Sequence, residues 1–547
     1  MKFLLLMLLA SGLALYSCAQ KDMASKIQNI DYLLTRQEGM NKFNGTVLVA
    51  QKGQILLKKG YGYADFENKK SNDSSGIFQI YSITKTFTSS MVFILIEQGK
   101  LSLDDRLSKF YPSFPNGDNI TIEHLLTHTS GINDTTDDPN AQETEAYRVE
   151  RFGKNPVNFA PGEGWSYCNG GYQLLGYIIA KVTGMSYEEA VRKHIFNPLG
   201  MSASGFDFKN LPSPEKVSAY HIFTDDRKEK AVLYDSTGPY AAGSIYSTVG
   251  DLYKYYRGIR SSQLISKTSQ DIAFSPSKTN KGYGYGWQLR QDSLKRKVIS
   301  HSGGAAGFRS NFAMIPKDDI CVIVLNNHEN ANTDFLTGRI IDILDGKVFE
   351  PISEVKLTDA DLKKFVGAFS VQEPQMMIYT SIVDGRLAVE VSGQGKQTVL
   401  STGETVFFHE EANAILEFSS DENGVFSEIT INLGSRKMLA KRIESSWGLL
   451  GSATKKGWVD DLPDLKFSED SVRKGLWVLK KIALKKGEIK FRLNNDWNIN
   501  YGDTKGDGLL DMHGENIKIE AGVYDLILDL TDESNPRYNL LKTASVQ

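Results

Sequence analysis

Ser82-Ile83-Thr84-Lys85 places a serine three residues before a lysine, at the head of a segment in which Ile83, Phe87, Met91 and Leu95 recur every fourth position. That apolar spacing predicts a helix packed into a core. Residues three apart share one helix face, so the Ser82 hydroxyl and the Lys85 amine can meet. A lysine in apolar surroundings loses the hydration that favours its charged form, and its pKa falls. The neutral amine can then take a proton from the serine and turn a poor nucleophile into a good one. Such pairs are also common on solvated helix surfaces, so the reading needs support from elsewhere in the chain.

Two further segments supply it. Trp165 to Tyr172 reads Trp-Ser-Tyr-Cys-Asn-Gly-Gly-Tyr, after a Pro161-Gly162 turn and before an amphipathic run of Leu174, Leu175, Ile178, Ile179 and Val182. Tyr167 and Asn169 are two apart on an expected loop, so both can point into one cleft. A phenolate near a cationic lysine can act as general base, and the phenol as general acid. Asn169 can hold a substrate amide or carbonyl. The alternative is a loop whose Tyr and Asn only cap the next helix. The third segment, His301-Ser302-Gly303-Gly304, follows the strand-like Lys297-Val298-Ile299-Ser300 and precedes the apolar strand Ile320 to Leu325. Glycines such as Gly303 and Gly304 at a strand edge let a substrate backbone lie close. The Gly304 amide and the Ser82 amide, at its helix N-terminus, can serve as two oxyanion donors. The alternative here is a Gly-rich hairpin turn.

Taken in this order, the three segments resemble the active-site signature of the penicillin-recognising serine hydrolases: S-x-x-K, then Y-x-N, then K-T-G or its H-x-G variant. The nearest branch resembles class C β-lactamases with their esterase and peptidase relatives. Ile120 to Gly131, Phe196 to Met201 and Gly282 to Trp287 resemble the same family, and the likeness extends over about residues 25–350. The resemblance implies an α+β fold of the β-lactamase/transpeptidase type: an antiparallel sheet flanked by helices, plus a helical lobe. It implies Ser82, Lys85 and Tyr167 as catalytic residues, and Asn169, His301, Gly303 and Gly304 as substrate-binding and oxyanion residues. Two departures stand out. The third motif carries His301 in place of a lysine that helps hold a substrate carboxylate, and histidine is largely neutral near neutral pH. There is also no Glu-x-x-Leu-Asn segment of the class A deacylation type, which leaves water activation to Tyr167 and Lys85.

At 547 residues the chain is long enough for more than one domain. A hydrophobic content of 41% with 24% charged residues is ordinary for globular proteins. A net charge of −3 with no basic stripe points away from nucleic acid. The N-terminus has a Met1-Lys2 start, an apolar stretch too short to span a bilayer comfortably, and Leu15-Tyr16-Ser17-Cys18. This resembles a bacterial lipoprotein cleavage box, with Cys18 as the lipidated first residue. Ordinary signal cleavage after Ala19 is the competing reading, and both export the chain. The expected location is the periplasm or outer membrane of a Gram-negative bacterium, with the membrane reached through the lipid anchor. If Cys18 carries lipid, Cys168 and Cys321 are left, and two free thiols are expected in a chain with ample core. The eight histidines show no H-E-x-x-H spacing and there is no C-x-x-C, so no metal or other cofactor is expected.

The expected organisation is a signal segment over 1–19, a hydrolase domain over 20–352 that opens with a short tether at 20–26, a small β-domain over 353–444 and a β-sandwich over 445–547. The tether is followed by a hairpin at Val47 to Leu57. Asp384-Gly385 and Asn423-Gly424 are hairpin turns flanked by alternating runs, and the 353–444 segment resembles the lipocalin-like β-domain often found after such hydrolases. Four of the six tryptophans, Trp447, Trp458, Trp477 and Trp497, fall in the last segment, which resembles the β-sandwich modules of surface starch-binding lipoproteins. It can bind a glycan through exposed aromatics, or the tryptophans can be sandwich core. The resulting expectation is an exported serine hydrolase that cleaves an ester or amide bond of a small-molecule or peptide substrate through a Ser82 acyl-enzyme. The alternatives are a β-lactamase or D-Ala-type peptidase and, from another class, a catalytically idle glycan-binding or sensor lipoprotein.

Overall fold

Val47 to Ala50 and Ile320 to Leu325 are buried on both faces, which requires layers on either side of the strands they form. A computed structural model shows those layers. It describes residues 22–134, 144–223, 227–347, 349, 351–373, 376–391, 396–433, 436–459, 463–473, 475–531 and 536–543. The expected signal segment over 1–19, with Cys18, lies outside the described residues. The chain forms two compact units, divided between Pro351 and Ile352.

In the first unit, β1 (Gly45–Gln51), β2 (Gln54–Tyr61), β3 (Gln288–Gln291), β4 (Lys297–Ala305), β5 (Phe308–Ile315) and β6 (Ile320–Asn326) form one antiparallel sheet in the order β2-β1-β6-β5-β4-β3. The Lys52-Gly53 turn between β1 and β2 has φ of 51° and 77°, the left-handed pair that a two-residue hairpin loop needs. Alternate residues face opposite sides. Val47 and Val49 pack with α4 (Thr333–Leu344) and a helix over 22–38. Residues 22–26, expected as part of a tether, are the start of that helix. Leu48 and Ala50 face the helical lobe, which includes α1 (Thr84–Glu97), α2 (Asn169–Thr183) and α3 (Val249–Arg260).

α1 is buried on every side from Thr84 to Leu95, not only along the apolar stripe. Its hydroxyls are satisfied inside the core: Thr88 Oγ1 donates to Ala241 O at 2.6 Å, Ser89 Oγ to Tyr285 O at 2.5 Å, and Ser90 Oγ pairs with the Tyr255 hydroxyl at 2.8 Å. Threonines and serines can therefore occupy a fully buried helix without leaving unpaired polar groups.

The second unit contains nine strands in one antiparallel sheet, taken in chain order as β7 (Gly367–Val371), β8 (Met376–Val383), β9 (Arg386–Val391), β10 (Gln397–Thr398), β11 (Leu400–Ser401), β12 (Val406–His409), β13 (Ala414–Ser420), β14 (Phe426–Leu433) and β15 (Arg436–Ile443). The order is β10-β9-β8-β7-β15-β14-β13-β12-β11. Its two end strands are separated in sequence only by Val399, whose N–H donates to Leu387 O at 2.9 Å, so the sheet closes into a barrel. The Asp384-Gly385 turn is left-handed at both residues, as a tight hairpin requires. After Trp447, a six-stranded and a four-stranded sheet share one apolar core around Leu449, Phe491, Leu526 and Leu528.

Candidate active site

A 3-10 turn, Tyr81–Ile83, carries Ser82 and runs directly into α1. Tyr81 has a φ of 42°, a left-handed conformation that costs energy for a bulky side chain. Two other such residues, His128 and Tyr240, flank the same site at 60° and 41°. β4 packs against this turn. A Cβ on Gly303 would lie 2.1 Å from Ile80 O, and Ser310 Oγ donates to that same carbonyl at 3.1 Å. β3 pairs with β4 only over Lys297–Ser300, so that among the described residues His301 to Ala305 have no strand partner on that edge.

Lys85 is the centre of the arrangement. Its Nζ reaches Ser82 Oγ at 3.1 Å, Asn169 Oδ1 at 2.8 Å and Ala242 O at 2.9 Å. It is fully buried, and burial lowers its pKa to about 7 against the opposing pull of the Asp134 carboxylate and Cys168. The two oxygens at 2.8 and 2.9 Å can only accept. In the neutral amine they take both N–H groups, which leaves the lone pair directed at the Ser82 hydroxyl. The rings of Tyr167 and Tyr172 flank Nζ at 4.8 and 5.6 Å.

Tyr167 keeps 37% of its surface exposed, but its hydroxyl is hydrogen-bonded with Ser82 and desolvated at that end. Burial outweighs the Ser82 hydrogen bond and raises the phenol's pKa above the ordinary tyrosine value. The phenolate is therefore disfavoured and the phenol favoured. Asn169 is the first residue of α2, not a loop residue as expected, and the cap is Cys168, whose Sγ accepts from Gly171 N at 3.3 Å. That leaves the Asn169 side chain for the site: Oδ1 is committed to Lys85, and only Nδ2 can reach a substrate. Cys168 and Cys321 are both free and buried.

His301, grouped with the substrate-binding residues on sequence, is almost wholly buried, and both ring nitrogens have protein partners. Nδ1 lies 2.7 Å from Ser302 O, a pure acceptor, so Nδ1 carries the proton. Burial and the charge of Lys85 lower the imidazole pKa to about 3, so Nε2 accepts from the Tyr283 hydroxyl at 3.0 Å. What His301 offers is a neutral brace for Tyr283, and β4 presents backbone to the cleft.

Sequence reasoning assigned no role to four groups that complete the site. The His128 ring packs at a tilt against Tyr167, 4.4 Å between ring centres, and takes the Cys168 N–H on Nδ1 at 3.0 Å. Tyr283 lies 4.7 Å from His128 between ring centres. Asp134 accepts from Gly170 N at 2.7 Å, a carboxylate on a helix N-terminus. The Ala242 carbonyl is held by a turn that α1 itself grips through Thr88 and Thr84. The runs containing His128 and Tyr283 already resembled the family; nothing in residue types distinguishes a backbone carbonyl such as that of Ala242.

Comparison with known proteins supports the same reading. The family model described as Beta-lactamase matches residues 34–345. Penicillin-binding protein 4* of Bacillus subtilis (strain 168) is 30% identical over 431 residues, covering 73% of this chain and 94% of that protein. The octameric penicillin-binding protein homologue from Pyrococcus abyssi superposes with a TM-score of 0.55 at 25% identity, over 76% of this chain and 100% of its own. D-amino acid amidase from Ochrobactrum anthropi SV3 shares the fold with a TM-score of 0.53 at 21% identity, over 60% of this chain and 100% of its own. With an S-x-x-K lysine buried against its serine, in a matched segment that spans most of the first unit, the chain belongs to the β-lactamase family, whose homologues are serine hydrolases.

Proposed function

We propose that the chain hydrolyses an ester or amide bond through an acyl-enzyme on Ser82. The observation that carries this is the buried Lys85 amine, 3.1 Å from Ser82 Oγ, with its other two contacts taken by acceptors. Ser82 Oγ attacks the substrate carbonyl and passes its proton to Lys85 Nζ. The negative charge that develops on the carbonyl oxygen is met by the Ser82 and Gly304 backbone amides. The Tyr167 phenol protonates the leaving group and is reprotonated at the expense of the Lys85 ammonium, which restores the neutral amine. Water then attacks the acyl group, Lys85 taking its proton and returning it to Ser82 Oγ as the acid leaves. Asn169 Nδ2 holds the acyl side of the substrate. The neutral, fully partnered His301 argues for substrates that need no cation opposite a carboxylate at the third motif. We therefore place the chain with the esterase and peptidase relatives of the class C branch. A fluorophosphonate serine probe tests this: it labels the wild type and not Ser82→Ala. Absence of label on folded wild-type protein would instead favour the idle binding protein.

A second reading is acylation by penicillins, supported by the similarity to penicillin-binding protein 4* over 73% of the chain. A fluorescent penicillin that forms a gel-stable adduct with wild type but not with Ser82→Ala supports it. Export and lipidation at Cys18 are part of the proposal, and are checked by incorporation of a fatty-acid analogue that Cys18→Ala abolishes. In the last segment Trp447 and Trp477 are core, whereas Trp458 and Trp497 are less buried and lie 6.2 Å apart. We propose that pair as the glycan platform. Retention of the full chain on starch, lost in Trp497→Ala, tests it.

A further inference from the structure

The barrel formed by β7 to β15 is packed at one end and hollow at the other. Phe365 seals the packed end, with ring centres 4.4 Å from Phe426, 4.9 Å from Phe418 and 5.0 Å from Phe407. Beyond that plug lies a cavity of about 460 Å³. This falls within the roughly 300–1,000 Å³ of small-molecule sites. Its wall follows the pleat of the sheet. Ile378 stands opposite Val391, Leu416 opposite Ile431, and Ala414 opposite Leu433, all on the inward face. Met376 and Met438 add long unbranched side chains that can repack around a guest. The polar lining is Gln397, His409 and Glu411; no lysine or arginine lines the cavity among the described residues.

We propose that this barrel binds a neutral amphipathic molecule, with a flexible hydrocarbon body inside and a hydroxyl, ester or amide head at the Gln397, His409 and Glu411 side. The apolar wall fits the body, and the amide, imidazole and carboxylate can bond an uncharged head. A carboxylate or phosphate head would meet the Glu411 carboxylate, and the described lining offers such a head no lysine or arginine. The cavity belongs to the second unit and Ser82 to the first, and binding there goes beyond the proposed hydrolysis.

The test uses the full chain and the neutral fluorophore N-phenyl-1-naphthylamine. The wild type and Ser82→Ala should both enhance its fluorescence, and 1-monolauroylglycerol should displace it at a concentration at least tenfold below that needed with laurate. Ala414→Trp and Leu416→Trp, which fill the cavity, should lose the enhancement. Ile415→Trp, on the outward face with 40% exposure, should keep it. Glu411→Gln should narrow the gap between the two competitors and needs no core change, so it stands even if the tryptophan variants fail to fold by circular dichroism. No enhancement in the wild type, or undiminished enhancement in folded Ala414→Trp, would overturn the site. Equal displacement by laurate would overturn the assignment of a neutral head.

Discussion

Lys85 is expensive to bury as a cation and useful to bury as an amine. With its pKa lowered from 10.5 to about 7, it is protonated below that pH and competent as a base above it. Acylation of Ser82 should therefore rise as pH increases through about 7 and level off, measured as the pH dependence of single-turnover labelling. Lys85→Arg, which stays charged across this range, should abolish the rise together with the activity. Tyr167 gives a separate test. A phenol whose pKa is raised is an acid, so Tyr167→Phe should slow hydrolysis of an alkyl ester by about 10²-fold or more. It should slow a nitrophenyl ester far less, because that leaving group departs without a proton. Equal losses on both esters would show that Tyr167 does not protonate the leaving group. The serine–lysine pair and the tyrosine were legible from spacing. Which of the two nitrogen and oxygen groups is the base was not, because that depends on how dry each one is, and dryness comes from residues distant in sequence.

At the scale of elements, the site exists because a strand is pressed against a turn. Gly303 leaves no room for a side chain, since Ile80 O is backbone and cannot move aside without moving Ser82. Gly303→Ala should cost about 1–3 kcal/mol of stability and most of the labelling rate. At Gly304 a Cβ would meet the Arg309 side chain at 3.0 Å, which can swing away. Gly304→Ala should therefore keep its melting temperature within a few degrees of wild type. Thermal denaturation and probe labelling of the pair distinguish a packing role at 303 from general fragility of the loop. The glycine motif was visible in sequence and read as a route for substrate approach. The structure adds a second reason at 303, the approach of the protein's own turn. The helix-capping alternative for Tyr167 and Asn169 gives way because Cys168 provides the cap.

At the scale of the whole molecule, the first unit is held together across long sequence separations. Arg296, only 9% exposed, bonds Asp345 through two nitrogens at 2.9 and 2.5 Å, Asp318 at 2.7 Å and Asp292 at 2.7 Å. It ties the turn before β4 to the end of α4 and to the turn before β6. Removing it leaves two largely buried carboxylates, Asp292 and Asp345, without this counter-charge, so Arg296→Ala should destabilise the protein by about 3–5 kcal/mol, seen as a lower melting temperature. The three-motif order and the strand-helix-strand pattern foretold the sheet with its helical lobe. They did not foretell this arginine, one of 63 basic residues with nothing local to mark it.

Local chemistry was written in the chain. The apolar stripe of α1, the Lys52-Gly53 and Asp384-Gly385 turns and the three motifs all follow from spacing and backbone preference, which act over a few residues. Packing alone decided the rest. Lys85 has a lowered pKa because rings and carbonyls from positions 167, 172 and 242 enclose it, and His301 is neutral because Tyr283 and the Ser302 carbonyl bracket its ring. Electrostatic character depends on the distance and burial of every neighbour, and those are set only when the whole chain has folded.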